Sequence, residues 1–175
     1  YNPEIEQASP EDILVFIHDD VWIDDWLIEL RLKEALNSFD LIGIAGNPFR
    51  EPRQRGWYGT INAVGEAFKP LGEPRFAIGQ LNAPPTYSSN IAPIKVKLLD
   101  GVFIAVKAST LHSSNIRFDP QFLYHHYDLD LCRQCEQANL KMGVWPIALT
   151  HAQTIGDLNQ AWFDSGTAYL NKWSD

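Results

Sequence analysis

The run Ile13-Leu14-Val15-Phe16-Ile17 leads directly into His18-Asp19-Asp20, and this junction constrains the fold more than any other stretch. Five consecutive aliphatic and aromatic residues read as a strand buried on both faces, the pattern of a parallel sheet covered by helices. Acidic residues at the carboxyl end of such a strand lie where open α/β sheets place their ligands. Hard divalent cations take oxygen ligands, commonly one or two carboxylates plus substrate phosphates, so the junction suits a nucleotide diphosphate. The alternative is a turn in which Asp19 or Asp20 caps local backbone groups.

The flanking pattern supports an α/β chain. Asn2-Pro3 reads as a cap with Pro in the first turn of a short helix ending near Ala8, broken by Ser9-Pro10. Beyond the junction, Asp24 can cap a helix whose apolar stripe is Trp26, Leu27, Leu30, Leu32, Ala35 and Leu36. Leu41 to Ala45 then reads as a second strand, closing one β-α-β step. From Gly46 to about Pro93 periodicity is poor and Gly and Pro are frequent, so a substrate-side loop region with short strands is expected. Order returns with strands over Ile94 to Leu99 and Val102 to Val106, either side of Asp100-Gly101. A helix is expected from about Asp128 to Leu140, a strand over Val144 to Leu149 and a closing helix over Leu158 to Trp173.

With 175 residues and 45% hydrophobic content, the chain has enough apolar material for one continuous core, read here as a single domain over residues 1–175. The 22 acidic residues outnumber the 14 basic ones, so there is no electrostatic footprint for nucleic acid or an anionic membrane. No apolar run approaches the roughly 18 residues that span a bilayer, so no integral membrane segment is expected. Cys132 and Cys135 are too close together for a disulfide framework, and that composition fits the cytoplasm, with peripheral membrane association left open. The chain begins at Tyr1 and its one methionine is Met142, the look of an excerpt from a longer protein.

A second constellation lies at Tyr124-His125-His126-Tyr127-Asp128-Leu129-Asp130. On a helix starting near Tyr127, Asp128 shares a face with Leu131, Cys132 and Cys135, whereas Asp130 points roughly the opposite way, outward or as a cap. Dipole compensation is the ordinary role of a first-turn carboxylate. His125 and His126, read as strand neighbours, point to opposite sides and do not bind an ion jointly. The Cys132-x-x-Cys135 spacing matches a redox pair, but mid-helix within an apolar stripe it reads as two buried free thiols. His151 follows an expected strand and so joins the same carboxyl edge.

Taken in order, these pieces resemble the family 2-like glycosyltransferases, in particular a branch with His-Asp-Asp after the metal-side strand. The resemblance rests on Tyr1-Asn2 with the stretch Ile13 to Val21, on Leu99-Asp100-Gly101-Val102-Phe103, on Tyr127-Asp128-Leu129-Asp130-Leu131-Cys132-Arg133, and on the position of His151. It implies a GT-A-like, Rossmann-related fold with a mostly parallel sheet flanked by helices, present here in part. Transfer of a sugar from a nucleotide-sugar donor to a carbohydrate or other hydroxyl acceptor is the implied activity, with inversion. Carried over by position, Asp128 is the base, and Asp20 and His151 are metal ligands. His18 and Asp19 fall on the donor side and Asp100 and Gly101 on the acceptor side, where Trp57 or Tyr58 would offer an apolar face to a sugar ring. His18 stands where many relatives have the first Asp of an Asp-x-Asp motif, and Tyr127 where many have Glu. Neutral imidazole suits Mn2+ better than Mg2+, so of these two ions Mn2+ is favoured. The family's base-binding units would lie before Tyr1, roughly 70 to 100 residues at the usual domain size.

Three rivals share these residues: a non-catalytic sugar- or nucleotide-binding module, a metal-independent enzyme using His18 differently, and a metal-dependent hydrolase of nucleotide sugars. Because each follows or flanks an expected strand at its carboxyl side, Asp20, Asp100, Asp128 and His151 are expected to converge on one edge of the mostly parallel sheet.

Overall fold

The computed structural model describes residues 1–57, 59–60, 69–70, 75–76, 93–152 and 159–174. Its elements are, in order, α1 (Asn2–Gln7), β1 (Ile13–Ile17), β2 (Val21–Ile23), α2 (Ile28–Ser38), β3 (Leu41–Gly43), β4 (Ala45–Asn47), β5 (Gly59–Thr60), β6 (Lys69–Pro70) and β7 (Arg75–Phe76). They continue with β8 (Ile94–Val96), β9 (Leu98–Leu99), β10 (Phe103–Lys107), α3 (Ala108–Ser114), α4 (Tyr127–Gln137), β11 (Met142–Val144), β12 (Leu149–His151) and α5 (Gln160–Trp173).

The fold is mixed α/β, built on a five-stranded sheet in the order β1-β10-β3-β11-β8. The expectation of a mostly parallel sheet is corrected. Among the described strands only β3 and β11 pair in parallel, while β10 runs antiparallel between β1 and β3, and β8 antiparallel to β11. The β1-α2-β3 crossover does leave its two strands pointing the same way, but β10 is inserted between them and supplies the hydrogen bonds to both.

Alternate residues of the strands fill two cores. Leu41, Ile104, Val106, Met142 and Val144 pack beneath α1, α3, α4 and α5, with Ile5, Leu111, Leu131 and Tyr169. Ile42, Phe103 and Ala105 face the other side, where α2 contributes Leu32, Ala35 and Leu36. The period-two split of each strand between helical layers is what makes the run of apolar residues continuous. β1 takes part in both cores but occupies the sheet edge, so only Phe16 is fully buried instead of the whole run.

Other expectations are corrected at the element ends. The first helix of the β-α-β step starts at Ile28, after Leu27, with no side-chain cap. Asp24 instead accepts from Thr150 Oγ1, and Asp25 accepts from the Leu27 N–H and pairs with Arg31. Trp26, Leu27 and Leu30 are consequently exposed, Trp26 almost fully, and the buried stripe is Leu32, Ala35 and Leu36. Asn2 is not the cap of α1; its side chain bridges to the Phe118 backbone in both directions.

Both long strands expected over 41–45 and 94–99 bend out of the main sheet. They continue as β4 and β9 in a second sheet, β7-β4-β9, where a Cβ on Gly46 would lie 2.4 Å from the Leu98 carbonyl oxygen. The strand expected over 144–149 is interrupted at Trp145-Pro146, because proline has no N–H to give a ladder. It resumes as β12, paired antiparallel with β2. The expected loop region, Gly46 to Pro93, yields β4, β5, β6 and β7 among its described residues, and the rest of it lies outside them. The expected start of the closing helix at Leu158 also lies outside them; α5 is capped by Asn159, whose side chain accepts the Trp162 N–H.

Candidate metal centre

Four segments meet beyond the end of β1. The antiparallel register pairs Ile17 with Phe103, and the His18 N–H continues the ladder onto the Val102 carbonyl at 3.2 Å. Asp100-Gly101, just before β10, therefore lies beside His18-Asp19-Asp20. The β2–β12 register sets His151 opposite Val21, and Ala152 N–H donates to the Asp20 carbonyl at 3.0 Å. The first turn of α4 completes the group: Gly101 N–H donates to Asp128 Oδ2 at 3.0 Å.

His18, Asp20 and His151 form a group able to hold a metal ion, each offering a ligand atom within 4.8 Å of the others. His151 Nε2 lies 3.1 Å from Asp20 Oδ1, yet it is buried and makes no directed hydrogen bond. The His18 and His151 rings are 5.6 Å apart. A buried imidazole nitrogen without a hydrogen-bond partner costs free energy unless something else satisfies it, and a cation between two imidazoles and a carboxylate does so. Burial, then the neighbouring His151, lowers the His18 pKa, so this ring is held neutral as a ligand requires.

Two carboxylates stand next to this group. Burial, then the charge of Asp100, pushes Asp128 from 3.8 up to about 6. Burial also raises Asp100, opposed by the Val102 N–H, by His151 and by a hydrogen bond from the Trp57 side chain. Indole donates only, so Trp57 gives its N–H to Asp100, and its ring packs against the core. Tyr58 lies outside the described residues.

Gly101 is clamped from both sides. Asp128 takes its N–H, and the Tyr127 hydroxyl donates to its carbonyl at 3.1 Å. A Cβ here would sit 2.2 Å from the Tyr127 oxygen, so glycine is needed for the phenol to lie across this peptide.

The structure thus brings His18, Asp20, His151, Asp100, Gly101, Asp128 and Trp57 to one locality. Asp19 is close enough for its charge to reach both Tyr1 and His18. Sequence reasoning put His18 with the donor-side residues, whereas here it completes the group with Asp20 and His151. It noted Tyr127 only as standing where many relatives have Glu, and no local pattern marks its contact with His18, 109 positions away.

Asp130, expected outward or as a cap, is fully buried. α4 is covered on both sides: Leu99 N–H approaches Cys132 Sγ from β9, while Trp173 and Lys172 of α5 reach Asp130. His125 and His126 are not strand neighbours; His126 stands at the N-cap of α4 with φ 63° and stacks on Tyr169, and burial lowers its pKa to about 4. Cys132 and Cys135 are buried free thiols.

Fold and site define a mixed α/β protein with a candidate metal centre next to paired carboxylates. No protein-family model matches the chain, and no curated protein is similar enough to count as a relative. Among the described residues no helix is long and apolar enough to cross a membrane.

Proposed function

We propose that this chain carries the metal and acceptor side of a glycosyltransferase, moving a sugar from a nucleotide-diphosphate donor to an acceptor hydroxyl with inversion. The reading is supported by one juxtaposition: a cluster of two imidazoles and a carboxylate beside Asp128, a carboxylate whose pKa is about 6. A general base works best with its pKa close to the working pH.

Asp128 takes the proton from the acceptor hydroxyl as that oxygen attacks the anomeric carbon from the face opposite the leaving diphosphate. Asp100 hydrogen-bonds acceptor hydroxyls, and Trp57 or Tyr58 offers an apolar face to a sugar ring. Asp19 contacts the donor. His18, Asp20 and His151 would hold a divalent ion, Mn2+ in preference to Mg2+ because two of the three ligands are imidazoles. Bound there, such an ion would supply Lewis-acid neutralisation of the charge on a departing diphosphate.

A second reading, a sugar- or nucleotide-binding module without catalysis, is favoured by one contact set. Both Asp128 oxygens already accept backbone N–H groups, from Leu129 and Gly101, as a purely structural carboxylate would.

The test is titration of Mn2+ and Mg2+ with and without a nucleoside diphosphate, repeated on Asp20→Ala. With a single protein carboxylate in the group, metal alone should bind weakly. Metal and nucleotide should strengthen each other by the same factor, as linkage requires, and Asp20→Ala should remove that coupling. Tight metal binding without nucleotide, or coupling that survives Asp20→Ala, overturns the metal assignment. Sugar transfer from donor to acceptor separates the enzyme from the binding module.

A further inference from the structure

The His18 ring has a hydrogen-bond partner outside the metal group: its Nε2 lies 3.1 Å from the Tyr127 hydroxyl oxygen. That hydroxyl carries one proton, and it lies 3.1 Å from the Gly101 carbonyl oxygen, which can only accept. Both contacts are hydrogen bonds at once only when the phenol proton goes to Gly101, whose carbonyl cannot donate. What remains on the phenol oxygen is lone pairs, so the His18 contact is a hydrogen bond only when Nε2 carries the proton and donates. In a neutral imidazole the other nitrogen, Nδ1, then has the lone pair.

We propose that Tyr127 is a positioning residue that fixes the tautomer of His18, so that Nδ1 is the nitrogen presented to a divalent cation shared with Asp20 and His151. This rests on the metal reading given above and deepens it. Metal-ligating histidines donate their other ring N–H to an oxygen acceptor, which sets ring orientation as well as tautomer. That acceptor is usually a carboxylate, a backbone carbonyl or water; here it is a phenol, itself anchored on a carbonyl.

The phenol is held for this role. Its ring sits in an aromatic cluster, with centroids 6.0 Å from both Tyr1 and Phe118, and Tyr1 and Phe118 both pack on Phe16 of β1. The absence of a side chain on Gly101 leaves room for the phenol against the peptide it anchors. The chain Gly101 carbonyl, Tyr127 hydroxyl, His18 imidazole thus ties the position of the metal-binding ring to the peptide that Asp128 grips from its other side.

Two measurements on the full chain test this, with Tyr127→Phe as the variant because it keeps the ring and removes only the hydroxyl. Long-range 1H–15N NMR of metal-free protein above pH 7 should report the His18 ring in the Nε2-protonated form, and a mixture of tautomers in Tyr127→Phe. Mn2+ binding, followed alone into the millimolar range by electron paramagnetic resonance, should weaken on the order of 10- to 100-fold in Tyr127→Phe, with the thermal midpoint close to wild type. A wild-type His18 protonated on Nδ1, or equal Mn2+ affinity in wild type and Tyr127→Phe, overturns the tautomer lock. Mn2+ binding that is insensitive to Asp20→Ala and to His151→Ala overturns the metal site itself, and the NMR result still decides the tautomer independently.

Discussion

Tyr127 and His18 touch across 109 residues of sequence, phenol oxygen to Nε2 at 3.1 Å. Side by side they form one hydrogen-bonded unit that leads from the first turn of α4 to the end of β1.

The raised Asp128 pKa sets a pH dependence for any reaction that uses it as a base. Activity should climb as pH rises through about 6 and level off above it. Asp128→Asn keeps an oxygen for the Gly101 N–H but cannot take a proton, so transfer should fall by ~10²- to 10⁴-fold. Stability should move the other way. The folded carboxyl holds its proton more tightly than the unfolded one, so its contribution is greatest below 3.8 and is lost as pH rises through about 6. Denaturant unfolding at pH 4 and pH 7 should show this part of the pH dependence in wild type and not in Asp128→Asn.

Gly101→Ala should be destabilising by about 1–3 kcal/mol, the usual range for forced overpacking. The added carbon meets the Tyr127 oxygen at 2.2 Å, and the ring is packed between Tyr1 and Phe118, so it cannot swing away freely. Equal midpoints in urea for wild type and Gly101→Ala would contradict the clamp.

Lys172→Met should cost about 1–3 kcal/mol, because it leaves the buried Asp130 carboxylate short of a partner. Lys172 Nζ lies 2.6 Å from Asp130 Oδ1, which also accepts from Trp173 Nε1, while Gln134 donates to Oδ2. Adding Asp130→Asn removes the stranded charge and should recover part of the loss, which a double-mutant cycle in urea would measure.

The thiols of Cys132 and Cys135 should both resist a thiol reagent in the folded protein and react fully once it is unfolded. Burial raises both, Cys135 to about 12, and neither side chain is accessible. Rapid labelling of either under native conditions would show that α4 is not covered as described.

Much of the local structure was legible from residue pattern. The apolar run at β1, the Asp100-Gly101 step before β10, the helix that opens near Tyr127 and the buried cysteines follow from periodicity and residue type, which act over a few neighbours. Helix faces were less secure. Trp26, Leu27 and Leu30 fit the apolar period, yet the helix starts at Ile28 and only Leu32, Ala35 and Leu36 reach the core.

What the sequence determined by itself was the presence of α1, β1, α2, β10, α4 and α5, and that His18, Asp20, Asp100, Asp128 and His151 fall at the ends of elements. Tertiary structure alone decided the rest. It placed β10 between β1 and β3, buried Asp130 by laying α5 over the outer face of α4, and set the Tyr127 hydroxyl between Gly101 and His18. Those outcomes depend on which elements pack together across a hundred residues, and the short periods that encode a single strand or helix carry no record of that choice.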